Sequence, residues 1–215
     1  MSAQGGPSRR LSRTGARVDL IDFAAALQSV SENLQSLGHQ FALVGGIAIG
    51  ARGEPRFTQD VDLAVAVDSD ETAETLIKSL HSRGYRLTSL VEQDAVGRLA
   101  TARMLDLKQE LVVDLLFASS GLEPEIASMA EKITLFDGLE LPVAVTGHLI
   151  ATKVLSRDDN RRPQDKLDLQ NLFSVAEAAE IELARQSVEL IGQRGYDRGL
   201  DLKRRFEEAL MEFSE

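Results

Sequence analysis

Two hydrophobic rhythms alternate along the chain, one with a period near 3.6 residues and one with a period of 2, and they divide it into helices and strands. Residues 19–37 place Leu20, Phe23, Leu27, Val30, Leu34 and Leu37 at helical spacing, with Gly38 as the stop. The apolar run 41–44 predicts a short buried strand. The Gly45-Gly46 turn then opens a brief helix to 52, which the stretch from Gly53 to Pro55 breaks. Alternation resumes over 60–67, where Val61, Leu63, Val65 and Val67 share one face. A helix over 70–81, with Leu76, Ile77 and Leu80 inward, leads to strands at 85–91, 98–106 and 110–117. Between 123 and 145 the pattern fits a short helix and a hairpin that turns at Phe136-Asp137-Gly138. From Thr146 onward the pattern is helical almost throughout, with helices over 146–156, 163–178, 180–193 and 197–213.

This order predicts a mixed α/β (α+β) sheet domain over 18–145 and a C-terminal helical bundle over 146–215. Ahead of them, residues 1–17 carry Arg9, Arg10, Arg13 and Arg17 with no acid, among Gly, Ser and Pro. That composition predicts a disordered basic leader, either a plain solvated tail or an electrostatic contact for RNA or DNA.

Composition narrows the chemistry. With 43% hydrophobic residues the chain can bury a core, and no stretch approaches the roughly 20 apolar residues of a membrane span, so a soluble, cytoplasmic protein is expected. There is no cysteine, which excludes disulfides and thiolate ligands. His39, His81 and His148 are too scattered to suggest a zinc cluster. Oxygen ligands for a hard cation remain. A net charge of −10 argues against a broad basic nucleic-acid surface, though not against a local groove.

Asp60 and Asp62 stand at i and i+2, so on a strand both carboxylates leave one face, opposite the valines and Leu63. Asp114 lies within the apolar strand ELVVDLLF and needs a partner there. If its strand lies beside 60–67, the three acids converge. Such a set suits two Mg²⁺ ions, and Mn²⁺ accepts the same oxygen donors. The competing arrangement pairs Asp60 or Asp114 with an arginine such as Arg103. Gly45 and Gly46 let a phosphate approach backbone N–H groups at a helix N-terminus, although a glycine pair also makes an ordinary tight turn. Arg52, Arg56 and Thr58 lie between that turn and the acids, within reach of a triphosphate or simply facing solvent.

The spacing GG-x13-DVD, with Arg56 and Thr58 ahead of the acids and a third aspartate in a later strand, resembles the DNA polymerase beta type of nucleotidyltransferase over residues 41 to 117. Residues 148–172, HLIATKVLSRDDNRRPQDKLDLQNL, are similar to the C-terminal signature of the AbiEii/AbiGii toxin family. The resemblance implies that Gly45 and Gly46 form the phosphate turn, that Asp60, Asp62 and Asp114 ligate metal, and that Lys153, Arg162, Asp165 and Asp168 complete the nucleotide site. Gly46 stands where many relatives carry serine. Lys153 and Arg157 are i and i+4, a face that can contact base and phosphates, and Asp165 and Asp168 are i and i+3. Pro163 followed by acids also reads as ordinary helix-start chemistry.

The resemblance implies transfer of a nucleoside monophosphate from an NTP to an acceptor hydroxyl, with an RNA or protein acceptor and a cognate antitoxin. Two rival expectations are a small-molecule, antibiotic-type nucleotidyltransferase and a noncatalytic nucleotide-binding module.

Overall fold

The computed structural model describes residues 13–55, 58, 60–135 and 138–213, with side chains from residue 23 onward. The first twelve residues of the leader, the side chains of Arg13 and Arg17, Arg56, and the turn residues Phe136 and Asp137 lie outside the described residues. The element order is α1 (Arg13–Ser36), β1 (Phe41–Val44), α2 (Gly45–Arg52), β2 (Asp60–Val65), α3 (Asp70–His81), β3 (Tyr85–Gln93), β4 (Arg98–Asp106), β5 (Leu111–Leu116), α4 (Glu123–Ser128), β6 (Glu131–Thr134), β7 (Glu140–Val143), α5 (Thr146–Ser156), α6 (Pro163–Val175), α7 (Ala178–Gln193) and α8 (Leu202–Phe213).

The seven strands form one mixed sheet in the order β3-β4-β5-β2-β1-β7-β6. β2 runs parallel to β5 and antiparallel to β1, while β4 pairs antiparallel with both β3 and β5. The hairpin of β6 and β7 docks on β1 through a parallel pairing of Leu43 with Val143. One buried apolar cluster runs from the sheet, through Leu43, Leu63 and Leu115, into Leu149 and Ile150 of α5, Leu172 of α6 and Phe206 of α8. The helical segment therefore lies over the sheet and shares its core.

β3 runs on to Gln93, β5 spans Leu111–Leu116 and α7 starts at Ala178, each within two residues of the sequence expectation, and four further boundaries differ for a local reason. α1 begins at Arg13, so 13–17 are helical where disorder was expected; Arg and Ala there favour a helix. β2 stops at Val65 because the chain turns at once into α3, whose N-cap Ser69 accepts from Thr72 N. α6 ends at Val175, where Ala176 (ψ 128°) and Glu177 (ψ 165°) are extended. α8 starts at Leu202 rather than 197, because Gly195, Arg198 and Gly199 hold φ of 79°, 58° and 73°, outside any right-handed helix.

Candidate active site

Strand register brings the acids together. Asp62 lies between Val44 on β1 and Asp114 on β5, and Asp60 pairs with Val112 one step along. Neighbouring strands are about 4.8 Å apart and laterally paired residues share a face, so Asp60, Asp62 and Asp114 look out from one side of the sheet. Val61, Leu63, Val65, Val113 and Leu115 fill the other side, each at most 1% exposed.

Asp114 is 7% exposed and meets Arg103 from β4, whose Nε and Nη2 donate to its two oxygens at 2.8 and 2.7 Å. Arg103 also reaches Asp60 at 3.5 Å. The arginine pairing weighed from sequence is thus present together with convergence of the three acids. Among the described residues no three carboxylate or histidine groups stand ready as a metal cage; a guanidinium lies against two of the acids instead. Among the described residues Asp62 has no such neighbour within bonding distance. Burial pushes its carboxyl up to about 6, with repulsion from Asp114 and then Asp60 adding to it and Lys153 and Arg103 opposing. Oxygen donors carrying excess negative charge are what a hard divalent cation prefers, so the residues fit Mg²⁺ or Mn²⁺.

Gly45 shapes the turn beneath this cluster. Its φ is +63°, and a Cβ there would sit 2.0 Å from Asp62 Oδ2, so the carboxylate lies directly on the glycine. α2 starts at this point with Val44 extended and no side-chain cap, which leaves backbone donors at its N-terminus available beside the cavity. Gly46 is buried within the same turn. Thr58 is half-buried ahead of β2.

Lys153, Asp165 and Asp168 also converge. Lys153 Nζ contacts Asp165 Oδ1 at 2.7 Å and Asp168 Oδ2 at 2.8 Å, with the lysine 17% exposed and the acids 6% and 1%. Arg162 occupies the N-cap position of α6, with no side-chain cap bond, a few residues before these acids. Gly45, Asp62, Arg103, Asp114, Lys153 and Arg162 all line one cavity of about 660 Å³ between the sheet and α5.

Two sequence expectations are corrected. Arg52 does not face a triphosphate: it donates to the carbonyls of Ala144 and Val143 and pairs with Glu131, tying α2 to the end of β7. Arg157 does not share a working face with Lys153. As the residue that ends α5, with ψ of 122°, it turns to Asp159 and Glu212. Three residues near the site carry no signal in the sequence. Asn171 bonds both N and O of Glu54 and holds the segment leading to the acids against α6. Glu123, 1% exposed, accepts from Ser119 N, Ser120 N and Ser120 Oγ just past β5. Arg198 lines the cavity from the loop between α7 and α8.

Among solved structures, an antigenic nucleotidyltransferase-like protein from Paracoccidioides brasiliensis is similar at 20% identity and a TM-score of 0.48, covering 86% of this chain and 92% of that one. The antibiotic-resistance factor ANT(2″)-Ia is similar at 17% identity and 0.46, covering 88% and 93%. MenT4, a nucleotidyltransferase toxin from Mycobacterium tuberculosis, is similar at 17% identity and 0.36, covering 96% and 100%. No curated protein matches the chain in sequence. Among the described residues no helix is long and apolar enough to cross a membrane. The profile of the nucleotidyl transferase AbiEii toxin family, a type IV toxin–antitoxin system, matches residues 30–214, and the chain belongs to that family.

Proposed function

We propose that this chain transfers a nucleoside monophosphate from an NTP to an acceptor hydroxyl and releases pyrophosphate, acting as the toxin of a toxin–antitoxin pair. The observation that carries this reading is the lateral pairing of Asp62 with Asp114, against the Gly45 turn and at the wall of a nucleotide-sized cavity. Asp60, Asp62 and Asp114 would hold two divalent cations, Mg²⁺ or Mn²⁺, which when bound offset phosphate charge and make the attacking hydroxyl more acidic. The Gly45-Gly46 turn and the uncapped N-terminus of α2 receive phosphate oxygens. Arg56 and Thr58 are assigned to the triphosphate by their place ahead of β2.

Asp114 stands on the β4 side of Asp62 and accepts the acceptor hydroxyl's proton. The hydroxyl oxygen bonds to the α-phosphorus as the α–β bridging bond breaks, and pyrophosphate leaves with that electron pair. Lys153 adds positive potential at Asp62, while Asp165 and Asp168 fix its position. The acceptor is an RNA or protein hydroxyl, the reaction belongs in the cytoplasm where NTPs are available, and a cognate antitoxin restrains it. The test is incubation with each α-labelled NTP and total cellular RNA or protein, comparing wild type with Asp62→Asn. Label is expected in one pool with the wild type alone; label in neither pool, or undiminished label with the variant, overturns this reading.

A further inference from the structure

The cations that line the cavity fall into two sets. Arg103 is committed to Asp114 and Asp60, and Lys153 to Asp165 and Asp168. Arg162 and Arg198 have no ion pair among the described residues, yet both line the same cavity. We propose that Arg162 and Arg198 form a two-arginine subsite for a phosphate tail, gripping the β- and γ-phosphates of the NTP and then the pyrophosphate. This rests on the nucleotidyl-transfer reading above and deepens it by naming the residues that bind the leaving group.

The two side chains come from different segments. Arg162 is the N-cap residue of α6, the helix whose Asp165 and Asp168 seat Lys153. Arg198 sits on the loop between α7 and α8 at φ +58°, a left-handed conformation that arginine rarely adopts. That loop is fastened to the segment after β5. The Tyr196 ring lies where a Cβ on Gly121 would fall, 2.6 Å from it. Arg194 bonds the Gly121 carbonyl and both oxygens of Glu125. Arg198 itself donates one bond, to Ser119 O at 3.2 Å, which leaves most of its five donors for a ligand. The side chain is exposed, but a strained residue on a pinned loop, with its guanidinium on Ser119 O, is held in place as a donor.

Electrostatics agree with the geometry. Burial and then the neighbouring Arg162 pull the Arg198 pKa below its ordinary value, with Glu123 acting the other way without forming an ion pair. Both side chains are exposed where they line the cavity, and like charges held near one another gain from an anion between them. The guanidinium fork matches the paired oxygens of a phosphate, which a lysine does not. The NTP is favoured over a phosphate on the acceptor because Arg162 starts the helix whose Asp165 and Asp168 hold Lys153, the lysine assigned to the nucleotide.

The experiment is calorimetric titration of the full chain with inorganic pyrophosphate in the presence of Mg²⁺, alongside steady-state KM values for NTP and acceptor. The variants are Arg198→Asn, Arg198→Lys, Arg162→Ala and the Arg162→Ala/Arg198→Asn pair. Asparagine tolerates the left-handed backbone, so the loop should fold without the charge. Pyrophosphate affinity is expected to fall about tenfold in each single variant and further in the pair, with the NTP KM rising in step and the acceptor KM unchanged. Arg198→Lys should recover only part. Unaltered pyrophosphate binding in Arg198→Asn, or a rise confined to the acceptor KM, overturns the subsite and leaves nucleotidyl transfer standing. Wild type that binds pyrophosphate but labels no acceptor fails the broader reading while keeping the subsite.

Discussion

Arg103 and Asp114 are direct cross-strand partners in the β4–β5 ladder, and the guanidinium takes both carboxylate oxygens, at 2.8 and 2.7 Å, while touching Asp60 at 3.5 Å. The same oxygens are those assigned to divalent cations. A competitor already seated on them raises the cation concentration needed to fill the site. The pair is half open to water on the arginine side, so its worth is modest, about 1 kcal/mol. Arg103→Ala is therefore expected to tighten Mn²⁺ binding about fivefold, measured by titration calorimetry without nucleotide. Unchanged or weaker binding would show that the guanidinium supports the site instead of competing for it.

Asp62 gives a pH signature. Its carboxyl ordinarily titrates at 3.8 and is raised to about 6 in the fold, so the folded chain holds a proton that the unfolded chain releases. The stability gained from that proton is complete below about pH 4 and is lost as pH rises through about 6. Asp62→Asn removes this loss: the variant should be more stable than wild type by roughly 3 kcal/mol at pH 7.5, with the gap closing near pH 4. Mg²⁺ should raise the wild-type Tm at pH 7.5 and leave the variant's unmoved. Thermal unfolding at the two pH values, with and without Mg²⁺, decides it.

Gly45 is required twice over, by a φ of +63° and by the Asp62 carboxylate against its Cα. Gly38, at φ +79°, has nothing within 4 Å of an added Cβ. Gly38→Ala should therefore cost only the left-handed penalty, about 1 kcal/mol, and keep activity. Gly45→Ala adds a steric displacement of Asp62 and should cost about 2–4 kcal/mol and abolish transfer. Equal denaturation midpoints for the two variants would contradict the close contact.

How much of this could be read from the chain depended on whether the deciding forces were local. β4 and α3 fall on the expected residues 98–106 and 70–81 because alternation, amphipathic spacing and a serine cap all act within one element. The acids converge because β2 and β5 are neighbours, which apolar patterning suggests and the register fixes. Arg52 was misread because its partners, the carbonyls of β7 and its edge, arrive more than ninety residues later. The break between α6 and α7 falls at Ala176 and Glu177, good helix formers, so packing sets it rather than propensity. Arg198 is hidden for the opposite reason: its left-handed backbone is imposed by a loop pinned through Tyr196 and Arg194, and nothing in the residue type announces it.

Lys153 bridges two acids, and all three groups are largely withdrawn from water. Lys153→Met removes the ammonium shared by Asp165 and Asp168 and brings the two buried carboxylates into unscreened repulsion, which should cost about 3–5 kcal/mol in urea unfolding. Adding Asp165→Asn and Asp168→Asn removes that repulsion and should restore most of the stability. Transfer should stay lost in both, since the positive potential at Asp62 is gone. If the triple variant regains activity, Lys153 serves the fold alone.

His148 acts on acid stability in the sense opposite to Asp62. It is 2% exposed on α5, its Nδ1 has no hydrogen-bond partner among the described residues, and burial pushes its pKa down to about 4, with Glu125 pulling the other way. The fold keeps the ring neutral while the unfolded chain takes a proton below about pH 6.5, so stability is full above that value and falls as pH drops towards 4. The full swing is about 3 kcal/mol. Because Asp62 gains stability over much of the same interval, the wild type should show little net change from these two groups. Single variants separate them: from pH 7 to 4, His148→Leu should gain stability relative to wild type, and Asp62→Asn should lose it. Parallel urea titrations of the three proteins at pH 4, 5.5 and 7 measure the divergence, and curves that stay parallel would mean neither group changes its protonation on unfolding.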